Sequence, residues 1–99
     1  MIFNSMNADI EKARNYIKQG EINLANKLLS DLLSRSTDTK EKAEAYYLLG
    51  NLYRKQSDWR LALDNYQLSI DLNPEGPAKS AQEMVQEIMN FFHTDMYNH

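Results

Sequence analysis

Residues 43–74, AEAYYLLGNLYRKQSDWRLALDNYQLSIDLNP, hold the pattern that decides the fold. Apolar and small residues recur every three or four positions on both sides of Ser57-Asp58, a pair that suits a helix break followed by an N-cap. Pro74 disfavours helical backbone angles in the residue before it and so ends the second half. The stretch therefore predicts two helices that form a hairpin.

The same periodicity predicts five helices along the whole chain. Gly20 suits the end of the first because it tolerates positive φ, and Asp38 with Glu41 predicts a capping box at the start of the third. Pro77 is well placed as the first residue of the fifth helix. The expected spans are about 6–19, 21–35, 39–56, 58–72 and 77 into the 90s. We expect an all-α fold.

An internal repeat relates the first two helix pairs. When the chain is shifted by 37 residues, small residues fall on small ones and an aromatic falls on an aromatic. The aligned pairs are Ala13 with Gly50, Tyr16 with Tyr53, Gly20 with Ser57 and Ala25 with Ala62. We infer two hairpins of one design, at about residues 6–36 and 39–74.

The second hairpin resembles the tetratricopeptide repeat (TPR) family. The resemblance rests on Tyr46-x2-Leu49-Gly50-x2-Tyr53, then Ala62-x3-Tyr66, then Pro74. The first hairpin keeps Ala13, Tyr16, Gly20 and Ala25 but departs from the rest of the motif. The resemblance implies a right-handed α-solenoid of two TPR-like antiparallel hairpins within one domain, 1–99, closed by a capping helix at about 77–95.

The third helix shows two apolar sides, as stacked repeats require. One side should face the fourth helix, and the other, made by Ala45, Leu48 and Leu52, should pack on the first hairpin. The aligned residues of the first helix are Ala8, Glu11 and Asn15, so that side of the first helix should face solvent. We therefore expect the stack to begin at the first helix.

The last helix carries an unusually broad apolar stripe. Its core-facing residues are predicted to be Ala81, Met84, Val85, Ile88, Phe92 and Met96, and Met89 and Phe91 widen the stripe beyond one packing face. Capping the stack explains most of the stripe. The excess width also suits a homodimer, for which the candidate residues are Met89, Phe91, Phe92 and Met96.

The polar face of the third helix is the candidate binding site, and it consists of Glu44, Tyr47, Asn51, Arg54 and Lys55. The TPR resemblance implies that this face, with Ile10, Arg14, Ile17 and Lys18 of the first helix, lines a concave groove for a peptide or partner helix. Tyr47 would stack, Asn51 would bond a peptide backbone and Arg54 would meet a carboxylate. A solvated helix face gives the same polar pattern, and the two isoleucines equally suit the core.

Other functions find little support in the residues. A net charge of −3 and a pI near 5.3 disfavour nucleic acid as a partner. His93 and His99 are the only histidines, there is no cysteine, and no phosphate-binding loop or metal-ligand spacing occurs, so we expect neither an enzyme nor a cofactor or metal site. The start of the chain lacks a signal-peptide pattern and no apolar run could span a membrane, so we expect a cytoplasmic protein.

Overall fold

A computed structural model describes the backbone of residues 5–97 and the side chains of residues 8–92. This part of the chain is built of five helices without a strand, and the all-α helical-repeat fold is confirmed. The observed ends differ from the predicted ones by a residue or two. The helices are α1 (Ser5–Gln19), α2 (Ile22–Arg35), α3 (Thr39–Lys55), α4 (Trp59–Leu72) and α5 (Ala78–Tyr97).

Side-chain hydrogen bonds show that consecutive helices run antiparallel. Arg35 at the end of α2 donates to Asp9 near the start of α1 at 2.9 Å. Ser69 near the end of α4 donates to the carbonyl of Ala43 near the start of α3 at 2.7 Å. Lys55 at the end of α3 donates to the carbonyl of Ile17 near the end of α1 at 3.0 Å, so α1 and α3 run parallel. They lie against each other with their like ends together.

The core consists of two clusters, the first formed by α1, α2 and α3 and the second by α4 and α5. Leu48 and Leu52, which are 2% and 0% exposed, belong to the first cluster, so the prediction that they pack on the first hairpin is confirmed. Ala8, Glu11 and Asn15 of α1 are not buried, as expected. The first cluster contains Ile10, Ala13, Ile17, Ala25, Leu29, Leu32, Ala45, Leu48, Leu49 and Leu52. The second contains Ala62, Tyr66, Ala78, Ala81 and Val85.

Gly50 lets α3 and α4 approach closely. A Cβ at this position would lie 2.4 Å from Cε1 and 2.5 Å from Cδ1 of the Tyr66 ring, far inside van der Waals contact. Tyr66 itself is fully buried. The glycine of the repeat motif is therefore required by the tyrosine of the same motif.

Two turns use left-handed backbone conformations at equivalent places in the repeat. Gly20 after α1 has a φ of +77°, and Ser57 after α3 has a φ of +60°. Asp58 then accepts a hydrogen bond from the backbone N–H of Leu61 and caps α4. The predicted roles of Gly20 and Asp58 are both confirmed.

The capping box at the start of α3 forms only in part. The Asp38 carboxylate accepts from the backbone N–H groups of Lys40 and Glu41, as predicted. The Glu41 carboxylate does not accept the reciprocal hydrogen bond from the backbone N–H of Asp38, which donates instead to the hydroxyl of Ser36 at 3.1 Å. Among the described residues, the Oε2 atom of Glu41 is buried without a hydrogen-bond partner.

The predicted stripe of α5 is wrong at two described positions. Met84 is 52% exposed and Phe92 is 54% exposed, whereas Ala81 and Val85 are buried and Met89 packs against the second cluster. Met84 lies beside the buried stripe. Phe92 is exposed because α5 has 20 residues against 14 in α4 and runs past the start of its partner.

Within the described residues, no helix has both the length and the apolar character that crossing a membrane requires.

Candidate functional site

Parallel packing of α1 and α3 creates a seam with two concavities on its surface. The first, of about 290 Å³, lies toward the C-terminal ends of the two helices, and we call it the basic cavity. It is lined by Arg14, Ile17, Lys18, Tyr47, Leu48, Asn51, Arg54 and Lys55. The second, of about 320 Å³, lies toward their N-terminal ends, and we call it the acidic cavity. It is lined by Ile10, Glu11, Arg14, Lys40, Glu41 and Glu44.

The seam contains all nine residues proposed for the groove, divided between the two cavities. Helical spacing explains the grouping, because residues three or four apart share a face of α3, and the repeat brings the matching face of α1 beside it. Glu44 and Ile10 line only the acidic cavity, and Arg14 lines both. Ile10 and Ile17 are each 7% exposed and belong to the first core cluster, so the polar residues present most of the seam's chemistry.

Asn51 is held from inside the hairpin. The hydroxyl of Tyr66 donates to its Oδ1 atom at 2.5 Å, and this leaves the amide nitrogen for a ligand. Burial raises the pKa of Tyr66 to about 12, against a smaller lowering by Arg54 and a further rise from Tyr47. The phenol therefore stays protonated at neutral pH and keeps Asn51 oriented.

Tyr47 is half-buried and rigidly placed. Its ring lies 5.9 Å from the ring of Tyr66 at an interplanar angle of 38°, and it packs against both core clusters. An aromatic ring fixed in this way offers its exposed part to a ligand at little further cost in conformational entropy.

The residues that line the basic cavity include four cations and no carboxylate. Lys55 donates to the carbonyl of Ile17 at 3.0 Å, and Arg54 reaches the sulfur of Met84 at 3.5 Å. Arg14 pairs with Glu44 across the seam at 3.0 Å and also with Glu11. Three of the four cationic side chains are thus oriented by neighbours.

The acidic cavity contains residues that the sequence prediction did not include. Glu11, Lys40 and Glu41 line it beside the predicted Glu44. A usable signal was present, because Glu41 lies three residues before Glu44 and therefore one turn earlier on the same face of α3. The candidate face is longer by a turn than predicted.

The end of α5 is the second candidate surface. Phe91 is 68% exposed and Phe92 54%, and their rings pack edge to face with centroids 5.7 Å apart. Met89 packs against the second cluster and is less available than predicted. The side chain of Met96 lies outside the described residues.

Residues 8–92, whose side chains are described, contain no cluster of three or more His, Cys, Asp or Glu suited to holding a metal ion.

Comparisons with known proteins agree with this architecture. The family model described as tetratricopeptide repeat matches residues 43–75, which hold the second hairpin. Residues 43–75 belong to the tetratricopeptide repeat family. TPR repeats generally mediate protein–protein interactions, and the family is typically non-catalytic.

A solved structure is similar over most of this chain. The solution NMR structure of Bacteroides fragilis protein BF1650 is 46% identical in sequence and superposes with a TM-score of 0.81. The match covers 90% of this chain and 88% of that one. No curated protein matches the chain.

Proposed function

We propose that this TPR protein is a non-catalytic module that binds a peptide or partner helix of another protein along the α1–α3 seam. The observation that carries the proposal is that Arg14, Tyr47, Asn51 and Arg54, from two parallel helices, line one open cavity. A ligand in this cavity would meet an aromatic ring, an amide and several guanidinium or ammonium groups together.

Preorganisation supports this function. Asn51 is oriented by Tyr66, Tyr47 is wedged between the core clusters and Arg14 is paired with Glu44. Because these side chains are already ordered, the partner segment would supply most of the conformational entropy lost on binding. Two hairpins make a short seam, so we expect modest affinity.

Affinity capture tests the proposal. We also propose a cytoplasmic location. The full chain should therefore be immobilised as bait and incubated with a cytosolic extract of the source organism. The bound proteins are then quantified by mass spectrometry. The test variant combines Tyr47→Ala with Arg54→Ala. A specific partner should be depleted at least about ten-fold on this variant, because it loses both an aromatic and a charged contact.

A matched control uses the other side of the molecule. Leu61→Ala with Asp64→Ala also removes one large apolar and one charged side chain, both exposed on α4. Partner capture should be unchanged on this control. A partner lost from the α4 variant and retained by the seam variant would contradict the proposed function.

A second candidate function is self-assembly through α5, and the exposed pair Phe91 and Phe92 favours it. A homodimer of this kind would bury both rings. Static light scattering over a dilution series would detect it, and Phe91→Ser with Phe92→Ser should convert a dimer to a monomer. A strict monomer at every concentration would exclude this candidate.

A further inference from the structure

Charge is separated along the seam. The residues that line the basic cavity include Lys18, Arg54 and Lys55, whereas the acidic cavity is lined by Glu11, Glu41 and Glu44 with one lysine. Arg14 lies where the cavities meet and is already paired with Glu11 and Glu44. The chain carries a net charge of −3, so the basic cavity is a local reversal of its overall charge.

The two ends are far enough apart to act separately. Glu41 and Arg54 are 13 positions apart on α3, which at the rise of an α-helix is about 20 Å. The Debye length at physiological ionic strength is about 8 Å. A charge on a ligand at one end is therefore largely screened from the other end.

We propose that the seam selects a partner segment whose own charges are separated, with acidic side chains at the basic cavity and Lys or Arg at the acidic cavity. This inference rests on the proposed function and specifies the partner's chemistry. In a helical partner the two charged groups would be about 13 residues apart. The partner's central residues would then face Tyr47 and the paired Arg14.

A uniformly acidic segment fits less well. It would place carboxylates beside Glu41 and Glu44 at like-charge contact, which is unfavourable. A Lys or Arg of the partner would instead bring opposite charge to Glu41 and Glu44, which both line the acidic cavity.

The test uses three synthetic helical peptides of about 20 residues with acetylated and amidated ends, which removes terminal charges. The first has its acidic and basic residues in separate blocks, the second has the same composition with the charges mixed, and the third is acidic at every charged position. Each is titrated with the full chain and followed by fluorescence anisotropy. The block peptide should bind at least about ten-fold more tightly than either of the others.

Charge reversal makes the test specific to the seam. Lys18→Glu with Arg54→Glu leaves two carboxylates beside Arg14 and Lys55 and so cancels the positive charge of the basic cavity, and the preference for the block peptide over the mixed peptide should be lost. The control is Arg60→Glu with Lys79→Glu, which gives the same change in net charge at two exposed positions of α4 and α5. The control should keep the preference of the unmodified chain. Circular dichroism verifies that each variant is folded.

The outcomes separate this inference from the proposed function. Equal binding of block and mixed peptides, both abolished by Tyr47→Ala, would overturn the charge selection while supporting a binding seam. If none of the peptides binds, the inference is also overturned, and the capture experiment with the native partner decides the function independently.

Discussion

At the scale of single residues, the contact between Gly50 and Tyr66 decides how closely the second hairpin closes. Alanine at position 50 would favour helix by about 1 kcal/mol through its intrinsic propensity. Its Cβ would nevertheless lie 2.4 Å from the Tyr66 ring, which is itself fully buried and cannot move outward freely. Steric overlap should therefore outweigh propensity.

We predict that Gly50→Ala destabilises the protein by about 1–3 kcal/mol, and Gly50→Leu by more. The measurement is the free energy of unfolding in urea. Gly50→Ala should lower the free energy of unfolding by less in a Tyr66→Leu background, because the smaller side chain makes room for the new Cβ. A Gly50→Ala variant as stable as the unmodified chain would show that the ring does not restrict this position.

The left-handed turns provide a paired prediction. Gly20 has open space around its missing Cβ, so Gly20→Ala should cost about 1 kcal/mol through backbone strain alone. Ser57 carries that strain already, so Ser57→Gly should stabilise by about 0.5 kcal/mol. Thermal unfolding of both variants measures the two effects. Changes in stability of the same sign would contradict a left-handed backbone conformation shared by Gly20 and Ser57.

The buried phenol of Tyr66 gives a pH dependence. Burial raises its pKa from 10.0 to about 12 in the folded state, so below pH 10 both states keep the proton and the stabilisation is complete. Between pH 10 and 12 the unfolded chain ionises first, and stability should fall by up to about 2 kcal/mol. Urea unfolding across this range should show a shallower fall for Tyr66→Phe. An equal fall in stability with pH for the two proteins would mean that folding does not raise the pKa of Tyr66.

At the scale of helices, α3 is distinguished from α1 by what lies on each side of it. Leu52 is fully buried against the first hairpin, while the aligned Asn15 of α1 is exposed. The same place in the repeat is therefore core in one helix and surface in the other.

We predict opposite tolerance to charge at these aligned positions. Leu52→Glu should destabilise by about 3–5 kcal/mol, because it buries an unpaired carboxylate, whereas Asn15→Glu should change stability by less than about 0.5 kcal/mol. Urea unfolding compares the two variants directly. Similar losses of stability would mean that α1 and α3 are equally buried at this place in the repeat.

The helices and their register could be predicted because each followed from local spacing and from the TPR motif. The stripe of α5 could not be predicted in full, because the exposure of Phe92 depends on where α4 begins, and the periodicity of α5 contains no information on its partner's length. The capping box was incomplete for a similar reason. Ser36 competes for the backbone N–H of Asp38, and nothing in the spacing of Asp38 and Glu41 shows which acceptor wins.

The helix face that forms the seam was predicted, but the separation of charge along it was not. The face containing Tyr47, Asn51 and Arg54 followed from the spacing on α3. That Glu11 of α1 and Glu41 of α3 line one cavity depends on the packing of two helices that are distant in sequence. Periodicity along one helix cannot supply this pairing.

At the scale of the whole molecule, side-by-side packing of five helices gives an elongated body of 58 × 27 × 17 Å. The seam, the outer surface of α4 and the end of α5 are different surfaces of this body, and each implies a different mode of association. A binding module should engage its partner through the seam, whereas a self-assembling one should use Phe91 and Phe92.

Site-specific photo-crosslinking in cells distinguishes these surfaces most directly. A benzophenone amino acid would replace Tyr47 in the seam, Leu61 on α4 or Phe91 on α5, one position at a time, and the crosslinked products would be identified by mass spectrometry. We predict that the probe at position 47 captures a segment of another protein and that the probes at 61 and 91 do not. Capture of a second copy of the chain from position 91, with no product from position 47, would contradict the account.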